Sequence, residues 1–450
     1  VERIRYYRSV TPLQSPTIEH IVSRIATSLT DVKLPLQTPL VVAYSGGVDS
    51  TVLLQAVIAY REQFDSPIHA VHVHHGLSDN AEQWAKHCEL QCRLEDVAFH
   101  LYRVDVDTGS RKSLEAEARK VRYNALIEVC DQIGGVLLLG QHAEDQLETV
   151  LLQLKRGAGP QGLAGMGEVQ YRGDTLIMRP MLALEKAEIV AYAEEEMLQW
   201  VEDESNQQNS FDRNFLRNEI IPHLLARWPK LTKTVGRSAE LCAEQSALVS
   251  DSAQKYFEDC KRTDLRLDGQ QLAALSLPWQ AMVIRAWFRA QGELSPSKAQ
   301  TDQVLAMLKA KHDATPEVNF KWGRVIRFDQ DLYWVVNATH EVPQNLKLVP
   351  NQNIALPWLR GHIRIAVPKA REEDTVSLQT NARNLKVKPE NANVSKLLKE
   401  WFKVWRVPRW ERNGVPAILI NDEPVALIVE GRCVYLQPKA PDIEITFSLD

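Results

Sequence analysis

The chain has 450 residues, 44% hydrophobic and 25% charged, an ordinary globular composition long enough for two or three domains. Its net charge of −5 excludes a global basic field, so a nucleic-acid partner would have to be met by a local patch. Six scattered cysteines without a C-x-x-C argue against a zinc ribbon or disulfide framework; with no apolar run of about 18 residues and no apolar signal core in VERIRYYRSV, a reduced cytoplasmic protein is expected.

Ser15-Pro16 ahead of Ile18, Ile21, Val22, Ile25 and Leu29 predicts a capped amphipathic helix, and Pro35 and Pro39 break the chain before Leu40. Residues 41–50, VVAYSGGVDS, then put an apolar run, two glycines and an Asp-Ser pair before an apolar-periodic stretch, 51–64. That order reads as strand, tight loop and helix start. Gly46 and Gly47 accept positive φ and close approach of backbone to a ligand, while Ser45, Ser50 and the loop N–H groups offer donors beside a helix N-terminus. The plain alternative is an ordinary turn with Asp49 or Ser50 as helix cap. No lysine is present, so this is not a Walker loop; phosphate charge would be met by N–H groups, hydroxyls and Mg²⁺, with Asp49 positioned to hold the ion.

Downstream, strands are expected at 67–74 and 99–104, an apolar run at 136–139, and helices at 80–97, 113–133 and 143–155. Strands alternating with helices at this spacing mean βαβ units, a parallel sheet, and ligands at the carboxyl ends of its strands. His69, His72, His74 and His75 invite a metal reading, but no carboxylate or cysteine set stands at ligand spacing, so a structural or substrate-facing role is expected. In GQHAEDQLET, residues 140–149, a helix beginning at Glu144 would put Asp145, Glu148 and Thr149 on one face. Two carboxylates there suit metal binding or proton acceptance; the alternative is the ordinary preference of acidic residues for a helix N-terminus. KRGAGPQGL, 155–163, is a basic glycine-rich loop, RPML ends a short strand at 179–182, and 202–217 carries Arg213 and Arg217 one turn apart in what could equally be a solvated loop and helix.

Beyond Pro222 the pattern changes to long helix at 224–257, largely helix at 272–308 around Trp279 and Trp287, a β-like segment at 318–337 and a polar linker at 339–353. Strands follow at 358–367, 417–420, 426–430 and 433–436, giving expected domains 1–222, 223–340 and 341–450. Within the last, residues 395–416 carry Lys396, Lys399, Lys403, Arg406, Arg409 and Arg412 against only Glu400 and Glu411. A helix here would put Lys396, Lys399 and Lys403 on one face and Trp401 and Trp405 on another, which suits an RNA backbone with stackable bases or, equally, buried tryptophans beneath a solvated basic face.

SGGVDS resembles the signature of the PP-loop ATP pyrophosphatase superfamily, which cleaves ATP between the α- and β-phosphates. With HVHHGLS, EAEARKVRY, GQHAEDQLET, KRGAG, RPML and DESNQQNSFDRNFLR in order, residues 40–220 resemble the tRNA(Ile)-lysidine synthetase family. The tail adds that family's K-x-x-K-x-x-F and I-P-x-W-x-R elements, with Val407 in place of the Ile. The resemblance implies an α/β fold, a doubly wound, mostly parallel sheet of the PP-loop/adenine nucleotide α-hydrolase type, followed by a helical middle domain and a small α+β C-terminal domain. It implies adenylation of the wobble cytidine of a CAU-anticodon tRNA(Ile) by ATP with Mg²⁺, then attack by free L-lysine; beside it stand the expectations of a cytoplasmic protein without a membrane partner, with oligomeric state left open and a homodimer one option. Residue by residue it carries ATP binding to Ala43, Ser45, Gly46, Gly47, Val48, Asp49, Ser50 and His142; catalysis to Asp49, Asp145, Glu148 and Arg119; and metal binding to Asp49 and Asp145. Glu148, Arg213 and Arg217 become candidates for lysine or the adenylate, and Lys396, Lys399, Lys403, Arg406, Arg409 and Arg412 for tRNA. Gln141 stands where the family has a second His and Glu144 where it has Asp, so neither takes a role. Alternatives are another PP-loop enzyme, a tRNA sulfurtransferase or an amidating synthetase, or a nucleotide-regulated RNA-binding protein without chemistry. Sulfur transfer usually wants positioned cysteines, which this chain lacks.

Overall fold

The computed structural model describes residues 15–74, 76, 78, 80–104, 114–202, 204, 209, 211–262, 265–311, 314–337, 342–359, 361–366, 375–437 and 444–449. His75, most of 203–210 and the head of the 339–353 linker lie outside the described residues. The chain divides into two units, Val1–Val249 and Ser250–Asp450.

The first unit contains α1 (Pro16–Asp31), β1 (Leu40–Ala43), α2 (Val48–Phe64), β2 (Ile68–His74), α3 (Ala81–Leu94), β3 (Ala98–Arg103), α4 (Leu114–Ile133), β4 (Val136–Leu138), α5 (Ala143–Lys155), α6 (Pro160–Leu163), β5 (Val169–Arg172), β6 (Thr175–Met178) and α7 (Lys186–Glu195). After α7 come α8 (Asp212–Phe215), a π-helical turn (Leu216–Ile220), α9 (Ile221–Arg227) and α10 (Leu231–Cys260), which runs past the unit boundary. Six strands form one sheet in the order β3-β2-β1-β4-β6-β5, parallel except for β5 at the edge. Chain order reverses between β1 and β4, so the loops leaving those two strands flank the topological switch point, where open α/β sheets bind ligands.

Alternation along the strands explains why both faces are covered. Leu40, Val42, Ala70, Leu138 and Met178 join a core with α1, α2, α3 and α7, whereas Val41, Val71, Leu137 and Ile177 join Tyr123, Leu126, Val129 and Cys130 of α4. In α2 every residue from Ser50 to Tyr60 is buried. Each large apolar side chain fully buried there contributes about 1.5–3 kcal/mol, which holds the helix start firmly against the sheet edge. Ser15 stands at the N-cap of α1 without a side-chain bond, and Pro16 occupies its first turn.

The second unit begins with β7 (Leu267–Asp268), α11 (Gly269–Ala274), α12 (Leu277–Ala290), α13 (Lys298–Met307), β8 (Glu317–Asn319), β9 (Gly323–Phe328) and β10 (Asp331–Val336), its four strands ordered β7-β10-β9-β8. It continues through β11 (Asn345–Leu348), β12 (Asn353–Leu356), β13 (Gly361–Ala366), β14 (Val376–Gln379), β15 (Lys386–Val387), β16 (Lys396–Leu397), α14 (Leu398–Val404), β17 (Ala417–Ile420), β18 (Glu423–Val429), β19 (Arg432–Tyr435) and β20 (Glu444–Leu449). Sheets β11-β14-β17-β18-β19 and β12-β13-β20 enclose the last apolar core.

Three expectations need correction. The long helix expected at 224–257 is two, because Pro229 cannot donate a helical N–H and Trp228 before it is extended at φ −132, ψ 81. Trp358 belongs to a 3₁₀ turn, Pro357–Leu359, ahead of β13. Lys396 is not on the tail helix: it pairs with Val387 in the β15-β16 ribbon, so only Lys399 and Lys403 of the three share α14.

Candidate active site

The loop after β1 turns at Gly46, whose φ is +87. A side chain there would also meet Cys88 Sγ at 2.8 Å and Val201 Cγ2 at 3.0 Å, so backbone conformation and space both demand glycine. Gly47, not Asp49 or Ser50, is the N-cap of α2, and no side chain caps the helix. The first-turn N–H groups are therefore free to meet an anion. Ser50 is turned inward: its Oγ donates to the Gly47 carbonyl at 2.9 Å, accepts from Gly46 N at 3.2 Å and meets Ser45 Oγ at 3.2 Å. The loop is thus braced by its own hydroxyls, with Ala43 and Val48 supplying backbone at its two ends.

The loop after β4 comes close beside it. A Cβ on Gly140 would lie 3.1 Å from the Asp49 carbonyl oxygen and 3.3 Å from Ser50 N, so this glycine lets the two loops touch. Next in sequence, His142 is the N-cap of α5, and its backbone N–H donates to Asp145 Oδ2 at 3.1 Å. The His142 ring is buried; Nδ1 donates to Glu144 Oε2 at 3.0 Å, and Nε2 lies 3.4 Å from Asp145 Oδ2 and 3.9 Å from Asp49 Oδ2. Burial disfavours its cation, but the Glu144 bond and the Asp145 and Asp49 charges outweigh that and raise its pKa. Glu144 is lowered despite burial, through the same His142 bond and the Lys186 backbone N–H.

Along α5, Asp145, Glu148 and Thr149 meet the arginines of the 202–217 stretch. Arg217, on the π-helical turn, donates through Nε to Glu148 Oε1 at 2.6 Å and through Nη2 to Glu148 Oε2 at 3.0 Å and Asp145 Oδ1 at 2.8 Å. Arg213 Nε lies 3.3 Å from Glu148 Oε2, within ion-pair range but out of line for a hydrogen bond, and its Nη2 donates to Thr149 Oγ1 at 3.2 Å. Glu148 is 0% exposed. Burial raises its carboxyl and Arg217 opposes that rise. A buried carboxyl held above its ordinary range is suited to accepting a proton near neutral pH.

Two further cations, to which the sequence assigned no role, stand at the site. Lys186, the first residue of α7, donates through Nζ to Asp49 Oδ1 at 2.6 Å. A cation at a helix N-terminus opposes the dipole, and that misfit was the available signal. Arg179, 3% exposed, donates to Gln141 Oε1 at 2.5 Å, the Gly167 carbonyl at 2.8 Å and Gln170 Oε1 at 3.2 Å. Arg119 lies on α4 with its Cζ 5.0 Å from the Tyr123 ring centroid. Of the histidine strand, His72 Nδ1 bonds to the Tyr44 carbonyl and His69 Nδ1 to His100 Nε2. Among the described residues no group of three or more His, Cys, Asp or Glu is arranged to hold a metal.

In the tail, the tryptophans serve the core: Trp401 is buried, donates Nε1–H to the Val387 carbonyl at 3.1 Å and stacks on Trp405 at 5.3 Å. Lys399, Lys403, Arg406 and Arg409 remain exposed, and Lys396 and Arg412 half-buried. Arg406 Nη1 donates to Asp329 Oδ2 at 2.7 Å and Arg412 Nε to the Val407 carbonyl at 2.9 Å.

Comparison with known proteins gives three family matches along the chain: a PP-loop domain at 18–224, a TilS substrate binding domain at 267–333 and a TilS substrate C-terminal domain at 376–437. A tRNA(Ile)-lysidine synthase of Vibrio parahaemolyticus is 38% identical over 402 residues, covering 87% of this chain and 91% of the relative. One from Shewanella woodyi is 36% identical over 433 residues, covering 90% and 91%. Among solved structures, the U34-tRNA thiolase NcsA from Methanococcus maripaludis aligns over 51% of this chain and 79% of its own at 16% identity, with a TM-score of 0.45.

Proposed function

The chain belongs to the tRNA(Ile)-lysidine synthase family, ATP-dependent ligases that modify tRNA(Ile), and from that premise we propose how its residues divide the reaction. The observation that carries the proposal is the meeting of the Ser45–Ser50 turn with His142, Asp145 and Glu148 across the switch point of one sheet. The turn and Lys186 hold the β- and γ-phosphates of ATP. The C2 oxygen of the wobble cytidine attacks the α-phosphorus, and the P–O bond to pyrophosphate breaks. The ε-amine of free lysine then attacks C2, AMP leaves with the C2 oxygen, and the amine loses its proton.

Free lysine is largely an ammonium at pH 7, and making it neutral costs about 4–5 kcal/mol. Glu148 and Asp145 are the carboxylates that bind this ammonium and offset the cost, Glu148 taking the proton. Arg217 now fills that seat, so lysine entry requires it to yield part of its hold on Glu148; freed, Arg217 and Arg213 face the adenylate phosphate. Asp49 and Asp145 bracket His142 Nε2 with hard oxygen donors, a set that suits Mg²⁺ completed by phosphate oxygens. Bound there, the ion would neutralise charge on the leaving pyrophosphate.

This reading also includes the three-domain organisation 1–222, 223–340 and 341–450, a cytoplasmic location and a homodimer. Its test is AMP release that requires ATP, lysine and a CAU-anticodon tRNA(Ile) together; release without lysine or without RNA overturns it. The tail gives a second test. Replacing Lys399, Lys403 and Arg406 with Ala is expected to weaken tRNA binding and lower the slope of log K against log salt by about 2–3, as measured by filter binding across a salt series. Unchanged affinity would leave α14 a structural element alone.

A further inference from the structure

We propose that Arg172, with Tyr123 and Arg119, forms a seat for a phosphodiester of the RNA loop that carries the reacting base; this rests on the functional reading above. Arg119 and Tyr123 lie four residues apart on α4, and Arg172 ends the edge strand β5. The two guanidinium carbons stand 5.0 and 4.9 Å from the centroid of the same Tyr123 ring, and Arg119 Nη2 also donates to the Tyr123 hydroxyl at 3.3 Å. An aromatic face holds a guanidinium flat while leaving its N–H edge available, and that edge matches two oxygens of a phosphate.

Charge singles this cluster out. Lys186, Arg213 and Arg217 each have a carboxylate partner. Among the described residues none of Arg119, Arg172 and Arg179 is ion-paired with a carboxylate, and the three donor nitrogens of buried Arg179 end on the neutral oxygens of Gln141, Gly167 and Gln170. Three cations gathered without a counter-charge, in a protein of net charge −5, make a local field that attracts an anion. The Arg179 bond to Gln141 also fixes where the field lies: it starts one residue from His142 and runs outward to the sheet edge.

Position separates this anion from ATP. β5 is three strands away from β1, roughly 14 Å at about 4.8 Å per strand, beyond a triphosphate seated on the turn after β1. Arg172 is exposed and pairs with Thr175 at the start of β6, so its side chain meets Tyr123 from the amino end of the parallel strands, where solvent and an RNA strand reach it. The phosphate chemistry is shared by nucleotide and RNA, so the test keeps the two apart.

The full chain and its Arg172→Gln variant are compared for binding to a CAU anticodon stem-loop, by fluorescence anisotropy across a salt series. A set of stem-loops each carries one uncharged methylphosphonate within the loop. Arg172→Gln is expected to weaken binding about five- to tenfold, to lower the salt slope by about 0.7, and to leave the KM for ATP unchanged. One methylphosphonate is expected to weaken the wild-type chain by a similar factor and to cost Arg172→Gln nothing further. Tyr123→Leu, which removes the ring and keeps both arginines, is expected to give part of the same loss. If every methylphosphonate weakens both proteins equally, or if the ATP KM rises while RNA affinity holds, the seat is not for an RNA phosphodiester. Binding needs no turnover, so failure of the AMP-release test would overturn the functional reading separately from this one.

Discussion

Glu148→Gln is expected to lower lysine-dependent AMP release at least about 100-fold while leaving pyrophosphate release from ATP and RNA nearly intact, in single-turnover assays that follow each product. The amide keeps the size and one acceptor but neither the charge that holds an ammonium nor the basicity to take its proton. The pH profile carries the same signature. Burial raises the Glu148 carboxyl, and the base must be ionised, so the lysine step falls as pH drops through a pKa above the ordinary carboxylate range. Arg217 lowers that pKa, so Arg217→Gln is expected to move the acid limb to higher pH. Stability changes too: Glu148→Gln leaves two arginines facing a buried neutral group, a loss of about 3 kcal/mol, near the lower end for a broken buried pair because solvent reaches Arg217. The double variant Glu148→Gln/Arg217→Gln is expected to recover part of that stability and none of the lysine dependence. A Glu148→Gln chain that still responds to lysine with wild-type rate removes the amine seat from this carboxylate.

How far the site was legible follows from how local each contact is. The Ser45–Ser50 turn could be read because strand, glycine pair and helix start are contiguous, and Gly46 has only one kind of residue that fits its φ and its neighbours Cys88 and Val201. Asp145 and Glu148 could be placed together because three-residue spacing on a helix is a local rule. Lys186 reaches Asp49 across 137 residues of chain, and a single lysine in the first turn of a helix names no partner. The arginines of α8 and the π-helical turn were legible as cations, but their grip on Glu148 instead of a phosphate depends on tertiary packing. In the tail, spacing alone put Lys396 with Lys399 and Lys403, whereas pairing of Lys396 with Val387 takes it off the helix and the Trp401 bond to the Val387 carbonyl turns the indole inward. Local pattern lost there to strand pairing, a long-range choice that residue spacing does not encode.

Asp49→Asn and Lys186→Met are expected to separate the metal seat from the phosphate seat. Asp49→Asn should slow pyrophosphate release about 100- to 1000-fold, since it removes a carboxylate ligand of the ion that would neutralise the charge developing on the leaving group as the α–β bond breaks. Lys186→Met acts on two equilibria in opposite directions. The ammonium occupies Asp49 Oδ1 at 2.6 Å, so its removal leaves this carboxylate unpaired for Mg²⁺, and half-saturating Mg²⁺ should fall. The same ammonium is the cation that the turn lacks relative to a Walker loop, so the KM for ATP should rise about tenfold. Steady-state titrations of each ligand at saturating levels of the other read the two effects independently. A fall in both constants, or no change in either, would mean that Lys186 only holds Asp49 in place and never turns toward the nucleotide. Opposite movement would mean that one lysine serves Asp49 before ATP arrives and the phosphates afterwards, which accounts for its position at a helix N-terminus that the dipole alone would disfavour.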